Sequence, residues 1–113
     1  TYFEHSNEAT KILVNTPVWA LGLDFVHGKE NLNELENIAK SGKKLIAGVV
    51  DGRNIWKNNI QNTIKLLETI SKTVSKENII ISSSCSLLHT PFTLKYEQKM
   101  DKEIKNWLSY AVE

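Results

Sequence analysis

Leu45 to Val50 is an unbroken apolar run, and it stops at once in Asp51, Gly52, Arg53 and Asn54, with Trp56 just beyond. A run that short and that apolar is the signature of a parallel strand buried on both faces. Its carboxyl end then delivers several polar groups to one place. A helical pattern follows directly: Ile60, Ile64, Leu67, Ile70 and Val74 fall on one helix face, and Asn58-Asn59 can cap its start. The loop between strand and helix is therefore short and fixed at both ends. Arg53 is the single arginine of the chain; every other basic residue except histidine is lysine.

The same grammar repeats along the chain. Val18 to Val26 reads as a strand with Asp24 embedded in it, ended by His27-Gly28. Glu30 to Lys40 reads as a helix with Leu32, Leu35, Ile38 and Ala39 on one stripe, closed by Ser41-Gly42 as a left-handed cap. Asn78 to Ser83 is another strand, turning from isoleucines to Ser84 and Cys85. A long loop, Ser86 to Met100, leads to Asp101, which caps a last helix bearing Ile104, Trp107, Leu108, Ala111 and Val112. Ahead of these, Tyr2-Phe3 reads as the tail of a first strand. Asn7 to Val14 reads as a helix that Pro17 ends.

The expected fold class is α/β, with four consecutive βα units and parallel strands. Such a sheet is either half of a (βα)8 TIM-type barrel or a small open, flavodoxin-like sheet. In both, functional groups gather at the carboxyl ends of the strands. Here those ends hold Glu4 and His5; Asp24 and His27; Asp51, Arg53 and Asn54; and Cys85 and His89. No Gly-rich phosphate loop is present to favour the open sheet.

A length of 113 residues supports one domain. A net charge of +1 with no basic segment gives no reason to expect a nucleic-acid partner. The apolar runs are too short to span a bilayer, so no membrane partner is expected. One cysteine excludes an internal disulfide framework and fits a reducing, cytoplasmic setting. The chain lacks an initiator Met, and its last residues, Trp107 to Glu113, read as the middle of a helix. It is expected to be a piece of a longer chain.

Each candidate has a functional and a plain reading. Asp51 and Arg53 can bind a ligand or a facing domain, or pair internally to fix their loop, and the two readings stand level. Gly52 is expected to supply a backbone conformation closed to other residues. Trp56 is expected to pack its loop onto the next helix, and Asn54 to bond loop backbone. Cys85 reads as a small buried hydrophobe unless a cation such as His89 or Arg53 activates it. Asp24, inside an apolar strand, needs a partner, and Arg53 is one candidate.

Three motifs carry a resemblance. Gly-Leu-Asp-Phe-Val-His-Gly (Gly22 to Gly28), Gly-Val-Val-Asp-Gly-Arg-Asn-Ile-Trp (Gly48 to Trp56) and Ser-Cys-Ser-Leu-Leu-His-Thr-Pro (Ser84 to Pro91) resemble the cobalamin-independent methionine synthases, and so does the ending Asp101 to Ala111. The resemblance implies two face-to-face βα barrels related by duplication. It implies methyl transfer from 5-methyltetrahydrofolate polyglutamate to homocysteine, with a catalytic zinc in the C-terminal barrel. The chain is similar to the second half of the N-terminal barrel. Cys85 then sits where the other barrel has its last zinc cysteine, and Asp24 falls on the strand of the zinc glutamate. The first strand has no matching His-x-Cys pair, and one thiolate with one carboxylate is no zinc site. The segment is therefore expected to be non-catalytic and to hold no cofactor. Its expected partners are the missing barrel half, the facing C-terminal barrel and, for the isolated segment, a second copy closing the open half-barrel edges.

Overall fold

The computed structural model describes residue 1 and residues 3–113. Among these, the chain runs α1 (Asn7–Leu13), β1 (Ala20–Asp24), α2 (Leu35–Ser41), β2 (Lys44–Val50), α3 (Ile60–Ser71), β3 (Ile79–Ser83) and α4 (Lys102–Trp107). The three strands form one parallel sheet in the order β1-β2-β3. Each neighbouring pair is joined through a helix, as parallel strands require. Of the four expected strands, the first is not seen. Tyr2 lies outside the described residues, and Phe3 sits in a bend at φ 64°.

Register explains the two faces. Leu21 pairs with Leu45 and Leu45 with Ile79, while Leu23 pairs with Ala47 and Ala47 with Ile81. This face meets α2 and α3. Its core is Leu21, Leu23, Phe25, Leu35, Ile38, Leu45, Ala47, Val49, Ile70 and Val74. The other face carries Gly22, Ile46 and Ile80 in register. A cavity of about 340 Å³ lies over it, lined by Gly22, Leu23, Ile46, Ser82, Ser83 and Ser84, with Thr1 at its edge.

One irregularity positions the mouth of the sheet. The β2–β3 register shifts between Gly48 and Val50. At Gly48 a Cβ would lie 2.8 Å from Ser84 Cα and 2.9 Å from the Leu23 carbonyl oxygen, so no larger residue fits. Past the shift the Ser84 N–H donates to the Val50 carbonyl at 2.7 Å, carrying the pairing into the loops.

Several boundaries differ from the sequence reading. Val18 and Trp19 lie outside β1 and are 41% and 68% exposed. The segment expected as one helix from Glu30 begins as a 3-10 turn, Lys29–Glu34, before α2. Gly42 closes α2 at φ 69° as expected, and Asn59 caps α3 through the Asn62 N–H. In α3, Ile70 is core, but Ile60 and Ile64 are 62% and 49% exposed; Val74, expected on the same helix, is also core but lies in a bend beyond the helix end at Ser71. Asn7 does not cap α1; Ser6 holds that position, without a side-chain hydrogen bond.

The largest correction is at the end. Asp101 caps α4 through the N–H groups of Glu103 and Ile104. The helix then stops at Trp107 instead of running on. Leu108 is extended and forms an antiparallel bridge with Trp56. The Lys57 N–H donates to the Trp107 carbonyl at 2.9 Å, and the Ser109 N–H to the Ile55 carbonyl at 2.8 Å. A second cluster of Leu94, Leu108 and Tyr110, with Ile55 and Met100 against it, packs around this bridge. The molecule is correspondingly long, 51 × 24 × 22 Å. Among the described residues, no helix is long and apolar enough to cross a membrane.

Candidate functional site at the carboxyl ends of the strands

The loops after β1, β2 and β3 meet the segment around Phe3 to Ser6, and nearly every expected site residue lies there. Asp24 ends β1 and is fully buried. Its Oδ1 accepts from the N–H groups of Val26 (2.8 Å) and His27 (3.0 Å), and its Oδ2 from Glu4 N–H (3.2 Å). A buried carboxylate needs such donors. The expected Asp24–Arg53 contact is not among them; backbone amides satisfy Asp24 instead. Asn31, which the sequence reading passed over, is equally buried. Its amide donates to the carbonyls of Asp24 (2.7 Å) and Glu4 (3.2 Å), and its Oδ1 accepts from Ser6 N–H at 2.8 Å. Nothing marks it in a stretch already rich in Asn and Glu. Together Asp24 and Asn31 weld the Glu4–Ser6 segment to the end of β1. Gly28 lets them do so, because a Cβ there would run into the Glu4 carbonyl and the Asn31 amide.

Asp51 leaves β2 and is also turned inward on its own loop. Its Oδ1 accepts from Arg53 N–H at 2.8 Å. Its Oδ2 takes the Asn54 amide at 2.8 Å and lies 3.1 Å from His27 Nε2. The expected Asp51–Arg53 pairing is thus made through Arg53's backbone, not its guanidinium. Asn54 Oδ1 in turn accepts from Trp56 N–H at 3.1 Å. These are the short side-chain-to-backbone bonds that turns favour. Gly52 differs from expectation: it is not at positive φ. Its role is close approach, since a Cβ would lie 2.8 Å from the Cys85 carbonyl oxygen and 3.1 Å from Cys85 Sγ. Its N–H donates to the buried Ser84 Oγ at 3.1 Å.

Cys85 follows β3 and is 1% exposed. Its thiol faces the Ser86 carbonyl at 3.7 Å. The Arg53 guanidinium lies 5.4 Å from the Phe3 ring centroid, and His89 meets that ring edge-on at 5.6 Å. The thiol's hydrogen-bond partner is the Ser86 carbonyl, not Arg53 or His89. Trp56 is not packed on the following helix. It is 58% exposed, anchored through its backbone bridge to Leu108. With Val26, Val50, Asp51, Asn54, Lys57, Asn58 and Asn59 it borders a cleft of about 230 Å³.

The donor set does not suit zinc. Among the described residues, no three of His, Cys, Asp and Glu come together where a metal could be held. Asp24 already accepts three N–H groups, and Cys85 is sealed under Gly52.

Residues 1–75 match the family model described as cobalamin-independent synthase, N-terminal domain. The full chain is 58% identical over 113 residues to 5-methyltetrahydropteroyltriglutamate–homocysteine methyltransferase of Desulforamulus reducens. The chain belongs to the cobalamin-independent methionine synthase family. Identity is 45% over 115 residues to the chloroplastic form 3 of the same-named enzyme of Arabidopsis thaliana, and 41% over 113 residues to that of Candida albicans. In each case the whole of this chain is covered. The chain spans only 14% to 15% of the length of the curated relatives it matches. Within the family, the matched model places residues 1–75 in the N-terminal domain.

Proposed function

We propose that this chain is a non-catalytic segment of a cytoplasmic methyltransferase that moves a methyl group from 5-methyltetrahydrofolate polyglutamate to homocysteine, making methionine. In that reading the parallel sheet continues into a (βα)8 barrel completed by the missing barrel half. The mouth formed by Asp24, Asp51, Arg53, Asn54, Trp56, Cys85 and His89 faces the C-terminal barrel, whose zinc supplies the thiolate chemistry. This chain itself takes no cofactor.

The observation that carries the reading is how the reactive groups are used. Asp24 and Asp51 are engaged in holding loops together, and Cys85 is buried beneath Gly52. They build a rim, and none of the three is presented to a substrate. The test is a chimera in which this chain replaces the matching segment of the Desulforamulus reducens enzyme. It is expected to make methionine, and Cys85→Ala within it is expected to do the same. A folded but inactive chimera overturns the family role. Loss of turnover with a normally folded Cys85→Ala chimera overturns the non-catalytic role.

A second reading rests on a separate observation. Ile80 and Ile81 on the β3 edge and Ile60 and Ile64 on α3 are exposed. An open edge of this kind invites pairing. The isolated chain is therefore expected to self-associate, and sedimentation as a monomer at high concentration contradicts that.

A further inference from the structure

We infer that Arg53, which shares the Phe3 ring with His89, recognises a carboxylate of a γ-linked triglutamate tail. The inference rests on the methyl-transfer reading above, because the relatives are named for a triglutamate-bearing donor.

Three segments converge to make the site. Arg53 comes from the loop after β2, His89 from the loop after β3, and Phe3 from the segment welded on by Asp24 and Asn31. Phe3 touches the other two, with the guanidinium 5.4 Å from its ring centroid and the imidazole edge-on at 5.6 Å. An aromatic face steadies a guanidinium without neutralising it. Arg53 is exposed, and among the described residues the ion pairs are His5–Glu30, Lys11–Glu8, His27–Asp51 and Lys40–Glu36, none involving it. The nearest acid in sequence, Asp51, is already shared between His27, the Asn54 amide and Arg53's own N–H. The chain's one guanidinium is thus held in place with no ion-pair partner among the described residues.

The backbone under it is unusual. Among the described residues, Phe3 and Glu4 are the non-glycine residues at positive φ, 64° and 68°. Strain of this kind persists where surrounding contacts impose it, and here the Glu4 N–H and carbonyl are gripped by Asp24 and Asn31. The grip sets the ring on which Arg53 rests. A planar fork so presented matches a carboxylate through two parallel hydrogen bonds, which an ammonium cannot do. A triglutamate tail offers several carboxylates in reach of one such fork.

Two measurements test this. The first titrates the 113-residue chain with tri-γ-glutamate, following amide shifts around Phe3, Arg53 and His89. The control is the all-amide peptide. Saturable shifts with the acid, weakened about fivefold in Arg53→Met and less in Arg53→Lys, are expected for one exposed guanidinium contact. Equal binding of the amide peptide, equal binding by Arg53→Met, or no saturable binding overturns the inference. The second uses the Desulforamulus reducens chimera. Arg53→Met is expected to raise KM for the triglutamate donor more than for the monoglutamate donor. An equal rise for both, or none, overturns it. An inactive chimera counts against the proposed methyl transfer, and the peptide titration then decides this inference by itself.

Discussion

The sheet region and the C-terminal region are held by different kinds of contact. Around the sheet, ten buried apolar residues, from β1, β2, α2, α3 and the turns after β1 and α3, interlock in one cluster, with Ile79 of β3 packed against it. Beyond β3, three buried residues, Leu94, Leu108 and Tyr110, do that work, helped by Ile55 and Met100. The first cluster unites contiguous βα units. The second depends on a strand-like bridge between Trp56 and Leu108, far apart in sequence. Burial thus falls steeply from one region to the other, and stability should fall with it.

That contrast can be broken by mutation. Ile70→Ala opens a cavity under β2 and should cost about 2–5 kcal/mol, a large part of the stability of a domain this size. Urea unfolding should show one transition at lower midpoint, and an unchanged midpoint would mean that α3 is not part of the common core. Leu108→Ala should have a smaller and local effect. Amide exchange at Lys57 and Ser109 should quicken while the β2 amides keep their protection. If both sets quicken equally, the two regions are one cooperative unit. Asp101→Ala removes the cap of a six-residue helix and should cost about 1 kcal/mol, read as faster exchange in α4 alone.

The smallest effect concerns acid. The Glu113 carboxyl is held below its usual range chiefly by the Thr93 hydroxyl, with help from the N–H groups of Leu94 and Tyr110. A depressed carboxyl stabilises the fold above its unfolded pKa, and that contribution is lost as pH falls through the lowered folded value. As pH falls below about 4.5, the ordinary value for a Glu carboxyl, the Thr93–Glu113 closure should therefore loosen. Side-chain NMR of Thr93 against pH reads it, and Glu113→Gln should flatten the response.

The same contrast explains what the sequence disclosed. β2 is found at its expected bounds, because a run such as Leu45 to Val50 can be satisfied only by burial. The start of α3, the Gly42 cap and the Asp101 cap are local patterns and are found as read. The C-terminal stripe misled because Leu108 meets a partner some fifty residues away, and helical spacing carries no record of that. At the mouth, the need of Asp24 for a partner was legible from its apolar setting. The partner was not, since backbone N–H groups are the same in every sequence. Asn31 was invisible for a related reason: its importance comes from where the chain folds back on it.

The close contact of Gly52 with Cys85 also makes a clock. The chain's one thiol is covered by a neighbouring backbone, so a thiol reagent must wait for the two loops to part. Its rate of modification, in reagent excess, would count openings of the β2–β3 mouth, without any added probe. A ligand seated across those loops would slow that count, which turns a buried, chemically quiet cysteine into a timekeeper for the motion of its neighbours.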